Sequence, residues 1–298
     1  MHEKIMTIME RIPDSELILN PDGSIYHLNL KPGSIASTVI VVGDPDRVAQ
    51  VTKYFDSIEL EVQHREFQTT TGTYRGTRLT VTSTGIGPDN IDIVLNEMDA
   101  LVNIDLETRT PKEEHEQLTF LRIGTSGTIQ HDIPVDSFIV SEWAIGFDNV
   151  LHYYEGTSFL DVAFSEAFMK HTKWNPKKGT PYVVSADKEV LDMMTSPAFI
   201  KGITITNIGF YGPQGRKLRL SLEDDQLNGK MESFRYHNNR ILNLEMETSA
   251  IYGLSKLLGH RAVSLNAVIA NRANGTFSAN PKETVNQLII KTLDSLTQ

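Results

Sequence analysis

The first strongly patterned stretch of the chain is Thr38-Val39-Ile40-Val41-Val42. It is apolar without alternation, the pattern of a strand covered on both faces. Gly43 follows, then Asp44-Pro45-Asp46-Arg47-Val48, where Asp44 can cap a helix and Pro45 can occupy its first turn. Strand, glycine turn and helix then recur. Leu79 to Thr84 leads into Gly85-Ile86-Gly87-Pro88 and a helical pattern from Asn90 to Val102. Leu118 to Ile123 leads into Gly124-Thr125-Ser126-Gly127, read as a third glycine turn. Ile58 to Val62, Pro181 to Ser185 and Ala262 to Ala270 read as further strands. Glu283 to Leu296 closes the chain as an amphipathic helix with Val285, Leu288 and Ile289 on its apolar stripe. Strands alternating with helices predict a largely parallel or mixed sheet covered by helices, an α/β fold.

Three segments interrupt the pattern. Residues 1–25 are polar and punctuated by Pro13 and Asn20-Pro21-Asp22-Gly23, as expected of an arm laid over the surface. Residues 103–117 read as a solvated surface insertion, and residues 215–240, crowded with charge and amides, as a candidate lid. No linker or repeat divides the chain, so 1–298 is read as a single domain.

A formal charge of −10 argues against a nucleic-acid binder, which needs a basic face. The absence of cysteine removes disulfides, thiolate catalysis and cysteine-type zinc sites. The start of the chain has no apolar core of a secretory signal, and no stretch approaches the ~20 apolar residues of a membrane span. These features are read as a soluble, cytoplasmic protein without a metal site.

Against the acidic background, individual basic residues stand out. Arg47 lies one turn into the helix after Gly43, where its guanidinium and the free helix N–H groups can face one anion, or where it simply pairs with Asp44 or Asp46. Arg122 lies inside an apolar strand, at the carboxyl end where open α/β sheets bind ligands, with the Thr125 hydroxyl nearby. His64-Arg65-Glu66 and Tyr26-His27 are weak signals alone. Glu245-Met246-Glu247 opens a helix. Its carboxylates either favour the helix dipole or accept from a diol such as ribose. Phe210, Gln214 and Arg216 could stack on a flat ring and read its edge, or form a glycine-rich surface loop. Arg272 ends the late apolar strand.

The order of these motifs is more specific than any one of them. Gly-Asp-Pro-Asp-Arg-Val at 43–48, His-Arg-Glu-Phe at 64–67, Ser-Thr-Gly-Ile-Gly at 83–87, Leu-Arg-Ile-Gly-Thr at 121–125, Glu-Met-Glu at 245–247 and Asn-Arg at 271–272 together resemble the uridine phosphorylases of the nucleoside phosphorylase superfamily. The resemblance spans roughly residues 24–296. It implies a three-layer α/β/α domain around a central mixed, partly barrel-like sheet. It also implies phosphate binding by Gly43, Arg47, Arg122 and Thr125, with Arg65 reaching a neighbouring subunit's phosphate site. His27 would contribute across the interface to the ribose 5′-hydroxyl; Met246 and Glu247, with Glu245 secondary, would hold the ribose. Phe210, Gln214, Arg216 and Arg272 would face the base, and Arg122, Thr125, Gln214 and Arg216 would carry the chemistry.

The implied reaction is reversible phosphorolysis of uridine to uracil and ribose 1-phosphate. Phosphate is the co-substrate, no cofactor takes part, and the active sites are shared in a homo-oligomer, dimer or hexamer. Alternatives within the same reading are a purine nucleoside phosphorylase, a hydrolytic nucleosidase and a non-catalytic nucleoside-binding protein. Two departures from the family pattern stand out. Pro88-Asp89-Asn90 replaces a Pro-Ser pair, which bears on a monovalent-cation site near Glu66, and Gly212-Pro213 precedes Gln214 where Pro-Gly is usual.

Overall fold

The computed structural model describes residues 10–297; the first nine residues of the 1–25 arm lie outside them. The leading apolar run forms β1 (Thr38–Val42), buried from its second residue onward. It is followed by α1 (Pro45–Thr52), whose N-cap Asp44 accepts from the Asp46 N–H at 3.0 Å. A meander comes next, β2 (Ser57–His64), β3 (Phe67–Tyr74) and β4 (Thr77–Ser83). β3 is rich in threonine yet buried, because its hydroxyls pair with those of β4: Thr69 with Thr82 and Thr71 with Thr80, each at 2.8 Å. The glycine-proline step then opens α2 (Pro88–Asn103), and a short ribbon of β5 (Ile104–Asp105) and β6 (Thr110–Pro111) occupies the insertion, whose remainder, 113–117, is exposed.

β7 (Thr119–Thr128) departs from the sequence expectation. Gly124-Thr125-Ser126-Gly127 is not a turn; the strand runs through it, paired with the late strand as far as Thr128. The rest of the chain supplies β8 (Phe138–Gly146), α3 (Val162–Thr172), β9 (Tyr182–Ser185), α4 (Lys188–Met194), β10 (Phe199–Thr206), α5 (Leu227–Ser233), β11 (Arg235–Tyr236), β12 (Asn239–Glu245), α6 (Thr248–Leu257), β13 (Arg261–Asn271), β14 (Thr276–Phe277) and α7 (Pro281–Ser295). In the 215–240 segment, residues 217–221 are exposed, whereas Leu227, Met231 and Phe234 are buried against Phe164 and Phe168 of α3.

The sheet is mixed and partly closed, as the resemblance implied. β1 lies between β4 and β7 and is parallel to both. β7 runs parallel to β13, β13 antiparallel to β8, and β8, β10 and β12 parallel to one another. β12 then meets β7 antiparallel, through Asn243↔Thr128 and Leu244↔Gly127. Five strands thereby close into a ring, with the meander as an open extension.

The main core gathers Val39 to Val42, Leu121, Ile123, Val263 and Leu265 with the apolar faces of α2, α6 and α7. The described part of the arm is anchored in the same core through Leu17 and Ile25, and the residues just after it through Leu28 and Leu30. It is also pinned to the ribbon: the Ile12 N–H donates to Arg109 O at 2.8 Å, and the Arg109 guanidinium reaches Asp14 and the Leu17 carbonyl. Among the described residues, no helix is long and apolar enough to cross a membrane.

Candidate active site

A cavity of about 660 Å³ opens at the carboxyl ends of β1, β4, β7, β12 and β13. It gathers ten of the residues singled out from the sequence: Gly43, Arg47, Arg122, Thr125, Phe210, Gln214, Arg216, Glu245, Met246 and Glu247.

Arg122 is 6 % exposed and needs partners to be charged there. It has them. Nη2 donates to Glu247 Oε2 at 2.6 Å and lies 3.2 Å from Glu245 Oε2; Nη1 donates to Asn266 Oδ1 at 2.7 Å. Burial works against its charge, but the two carboxylates more than offset that and hold its pKa above the ordinary arginine value. The side chain folds back along its own strand over Gly124, where a Cβ would overlap the guanidinium.

Arg47 projects from the first turn of α1 and donates from Nη1 to Ile123 O at 3.4 Å, while its buried Nε has no partner. Burial, then repulsion from Arg122, lowers its pKa; Asp44 and Glu247 pull the other way. Two guanidinium groups thus repel each other across one cavity end, where Thr125 adds a hydroxyl and the N-terminus of α1 adds N–H groups. An anion relieves that repulsion.

In the Glu245-Met246-Glu247 turn, the two carboxylates have different surroundings. Glu245 receives the Thr206 hydroxyl at 2.6 Å and the N–H groups of Glu247 and Thr248, so both its oxygens are engaged within the chain. Glu247 Oε1 accepts only the Gly87 N–H at 2.9 Å. Burial, with the nearby Glu245 charge, raises the Glu247 pKa against the opposing pull of Arg122.

Gln214 is buried in a one-turn 3-10 helix ending at Gly215, whose φ of 70° suits glycine. Arg216 donates to Gln214 Oε1 and to Phe210 O, with its Cζ over the Phe210 ring, 3.7 Å from its centroid. Burial and the neighbouring Arg272 push the Arg216 pKa down to about 10. Arg272 was expected on the base side, but it does not line the cavity. Its Nη1 and Nη2 donate to Gln214 O at 2.7 Å and Gly215 O at 3.1 Å, so it grips the turn from behind.

His27 and Arg65 lie outside this cavity too. Glu97 of α2 accepts from the His27 N–H at 3.0 Å and sits 2.6 Å from its Nδ1. Arg65, at the two-residue turn between β2 and β3 with φ 54°, donates to the Tyr26 hydroxyl at 3.3 Å and covers that ring. The two residues form a patch on the outer surface, whereas Glu66, next in sequence, does line the cavity.

Several lining residues were not singled out from the sequence. Ser126 has a buried Oγ without a partner, Asn90 sets its amide against Gly85, and Leu244, Ala270 and Phe277 shape the walls. For Asn266, the partner of Arg122, a signal existed: an amide in the otherwise apolar run 262–270.

A family model described as the phosphorylase superfamily matches residues 37–296. A uridine phosphorylase of Thermococcus kodakarensis is 29% identical over 276 residues, covering 91% of this chain and 86% of its own. A guanosine phosphorylase of Halorubrum lacusprofundi is 26% identical over 249 residues, 84% of each chain. The crystal structure of a Trypanosoma brucei nucleoside phosphorylase, described as showing uridine phosphorylase activity, aligns with a TM-score of 0.83 at 28% identity, covering 94% of this chain and all of that one.

Proposed function

The chain belongs to the phosphorylase superfamily, and within it we propose that this enzyme splits uridine with inorganic phosphate into uracil and ribose 1-phosphate. The observation that carries the reading is the set of groups gathered around one cavity: the guanidinium groups of Arg47 and Arg122, the Glu247 carboxylate against Arg122, and Gln214 with Arg216. They supply donors for a phosphate, an acceptor for a ribose diol and an amide for a base.

Cleaving the C–N bond builds positive charge on the sugar and negative charge on the departing base. Phosphate held by Arg47, Arg122 and Thr125 beneath the anomeric carbon stabilises the first charge and is itself the nucleophile. The Glu247 carboxylate, with one oxygen held by Gly87 and the other by Arg122, accepts from the ribose diol. Because an arginine can only donate, Gln214 must turn its oxygen to Arg216. Its Nε2 is then free to donate to a base carbonyl, and Arg216 steadies the charge left on the ring. A pyrimidine leaving group stabilised this way needs no general acid.

The guanosine phosphorylase relative makes a purine the second reading. Against it, Asn271, at the end of the late strand, is no acid. It spends its amide on Gln130 O at 3.0 Å and Ile133 O at 2.7 Å. His27 and Arg65, which lie away from their own cavity, fit a role in the cavity of a second copy, so the working enzyme is a homo-oligomer. The deciding measurement is uracil release from uridine with and without phosphate, beside thymidine, inosine and adenosine. Phosphate-independent release, or faster turnover of inosine than uridine, overturns the reading.

A further inference from the structure

β10 and β12 run side by side, with Thr204 opposite Asn243 and Thr206 opposite Glu245. Directly opposed residues share a face of the sheet, so the two hydroxyls meet the two polar side chains. The Thr204 hydroxyl donates to Asn243 Oδ1 at 2.7 Å and the Thr206 hydroxyl to Glu245 Oε1 at 2.6 Å. Thr206 is fully buried and does not line the cavity. Its oxygen also accepts the Ser249 N–H at 2.9 Å. A hydroxyl has one proton to give, and here it is committed to the carboxylate. Glu247, the N-cap of α6, puts no side-chain oxygen on the first N–H groups of its helix. Glu245 takes the Thr248 N–H and Thr206 the Ser249 N–H instead. Thr206 thus ties the helix start and the Glu245 carboxylate together.

That tie bears on Arg122. Its Nη2 stands between two carboxylates, 2.6 Å from Glu247 Oε2 and 3.2 Å from Glu245 Oε2. Among the described residues, Arg122 is the cation at ion-pair distance from Glu245, and their attraction grows as they approach in a dry site. Held by Thr206 and by two backbone N–H groups, Glu245 stays the more distant of the two carboxylates. Without the Thr206 hydroxyl, Oε1 keeps the Thr248 N–H at 3.1 Å, and the carboxylate is free to close on the guanidinium. Glu247 then loses its share of Arg122. The charged groups that act on Glu247 are Arg122 from β7, Arg47 from α1 and Glu245 from its own turn, while Gly87 offers it a neutral N–H. Arg122 opposes the raised pKa of Glu247, so losing its pull raises that pKa further.

We propose that Thr206 is a positioning residue for the phosphorolysis: its hydroxyl holds Glu245 off Arg122 and so leaves the guanidinium to Glu247 and the anion. The inference rests on the phosphorolysis reading and adds a residue outside the cavity that acts through Glu245. The test compares Thr206→Val, which keeps the shape without the hydroxyl, and Thr206→Ser, which keeps the hydroxyl, with the unmodified protein. Calorimetric titration with uridine across pH reads the midpoint set by Glu247, and thermal melting reads stability separately. Thr206→Val is expected to raise the midpoint by about one pH unit, weakening uridine about tenfold on its acidic side. Thr206→Ser is expected to keep it. A lowered melting temperature with an unmoved midpoint makes Thr206 a structural residue only and overturns the proposal, as does a serine variant shifted as far as the valine one. Should the unmodified protein bind no uridine, the phosphorolysis reading fails by itself. Urea denaturation across pH then reads the same proton, through the part of the pH dependence that Glu247→Gln removes. Movement of that part to higher pH in Thr206→Val supports the positioning role, and an unmoved part overturns it.

Discussion

Gly124 is a glycine because the guanidinium of Arg122 lies over it: a Cβ there would come within 2.6 Å of Nη2 and closer still to Nη1. Arg122 cannot easily move aside, since Glu245, Glu247 and Asn266 hold both of its Nη atoms. Gly124→Ala is therefore expected to push the arginine out of place and lower kcat/KM by about a hundredfold or more, the cost of misplacing one charged contact in the transition state. Steady-state kinetics on uridine checks this, with circular dichroism to confirm that the strand persists. Wild-type activity in this variant would show that Arg122 needs no fixed position.

Removing Arg122 itself has a second effect. Arg122→Ala leaves Glu245 and Glu247 buried without their cation, which destabilises by about 3–5 kcal/mol. Urea denaturation should show that loss, and it should shrink in the double variant Arg122→Ala with Glu247→Gln, which also removes a charge. Equal stabilities for the two variants would contradict the electrostatic account.

The raised pKa of Glu247 predicts two pH dependences of opposite sign. The folded state binds this proton more tightly than the unfolded chain does. The stabilisation is therefore complete below the ordinary glutamate value and is lost as pH rises through the raised one. On the proposed ribose contact, nucleoside affinity is expected to run the other way, because hydroxyl donors need the carboxylate ionised. Calorimetric titration of nucleoside without phosphate should show affinity rising through a midpoint above the usual glutamate range, and Glu247→Gln should abolish that midpoint.

The Arg272 guanidinium donates to backbone carbonyls of the Gln214 turn, those of Gln214 and Gly215. Arg272→Ala is expected to raise the KM for uridine while leaving the KM for phosphate unchanged, since the grip is on the turn that carries Gln214, the proposed base contact. Arg272→Lys, with one donor point instead of a fork, should recover only part of the loss. A change in the phosphate KM would argue against this local role.

What could be read from the sequence was what is decided locally. The β1–α1 unit was legible because an apolar run, a glycine, a capping aspartate and a proline all act within a few residues. β3 was hidden because Thr69 and Thr71 satisfy their hydroxyls across the sheet, so a polar string lies buried. Gly124-Thr125-Ser126-Gly127 misled because a glycine that makes room for a side chain looks the same in sequence as one that makes a turn. The arginines of the cavity were legible as charges out of place in apolar or capping contexts. Thr206 was not, because its place beside Glu245 depends on the register of two strands and a contact across 39 residues of chain.

The closure of β12 onto β7 also bears on how the enzyme comes into being. The Thr128 hydroxyl bonds Leu242 O across 114 residues of chain, and Arg122 meets its carboxylates across a similar gap. Contacts so distant in sequence form slowly and late. On the ribosome, a chain that has not yet reached β12 has the arginines but none of the groups that hold Arg122 in place. The pocket should therefore appear in one step near the end of synthesis, and every shorter chain exposes an open sheet edge to its neighbours.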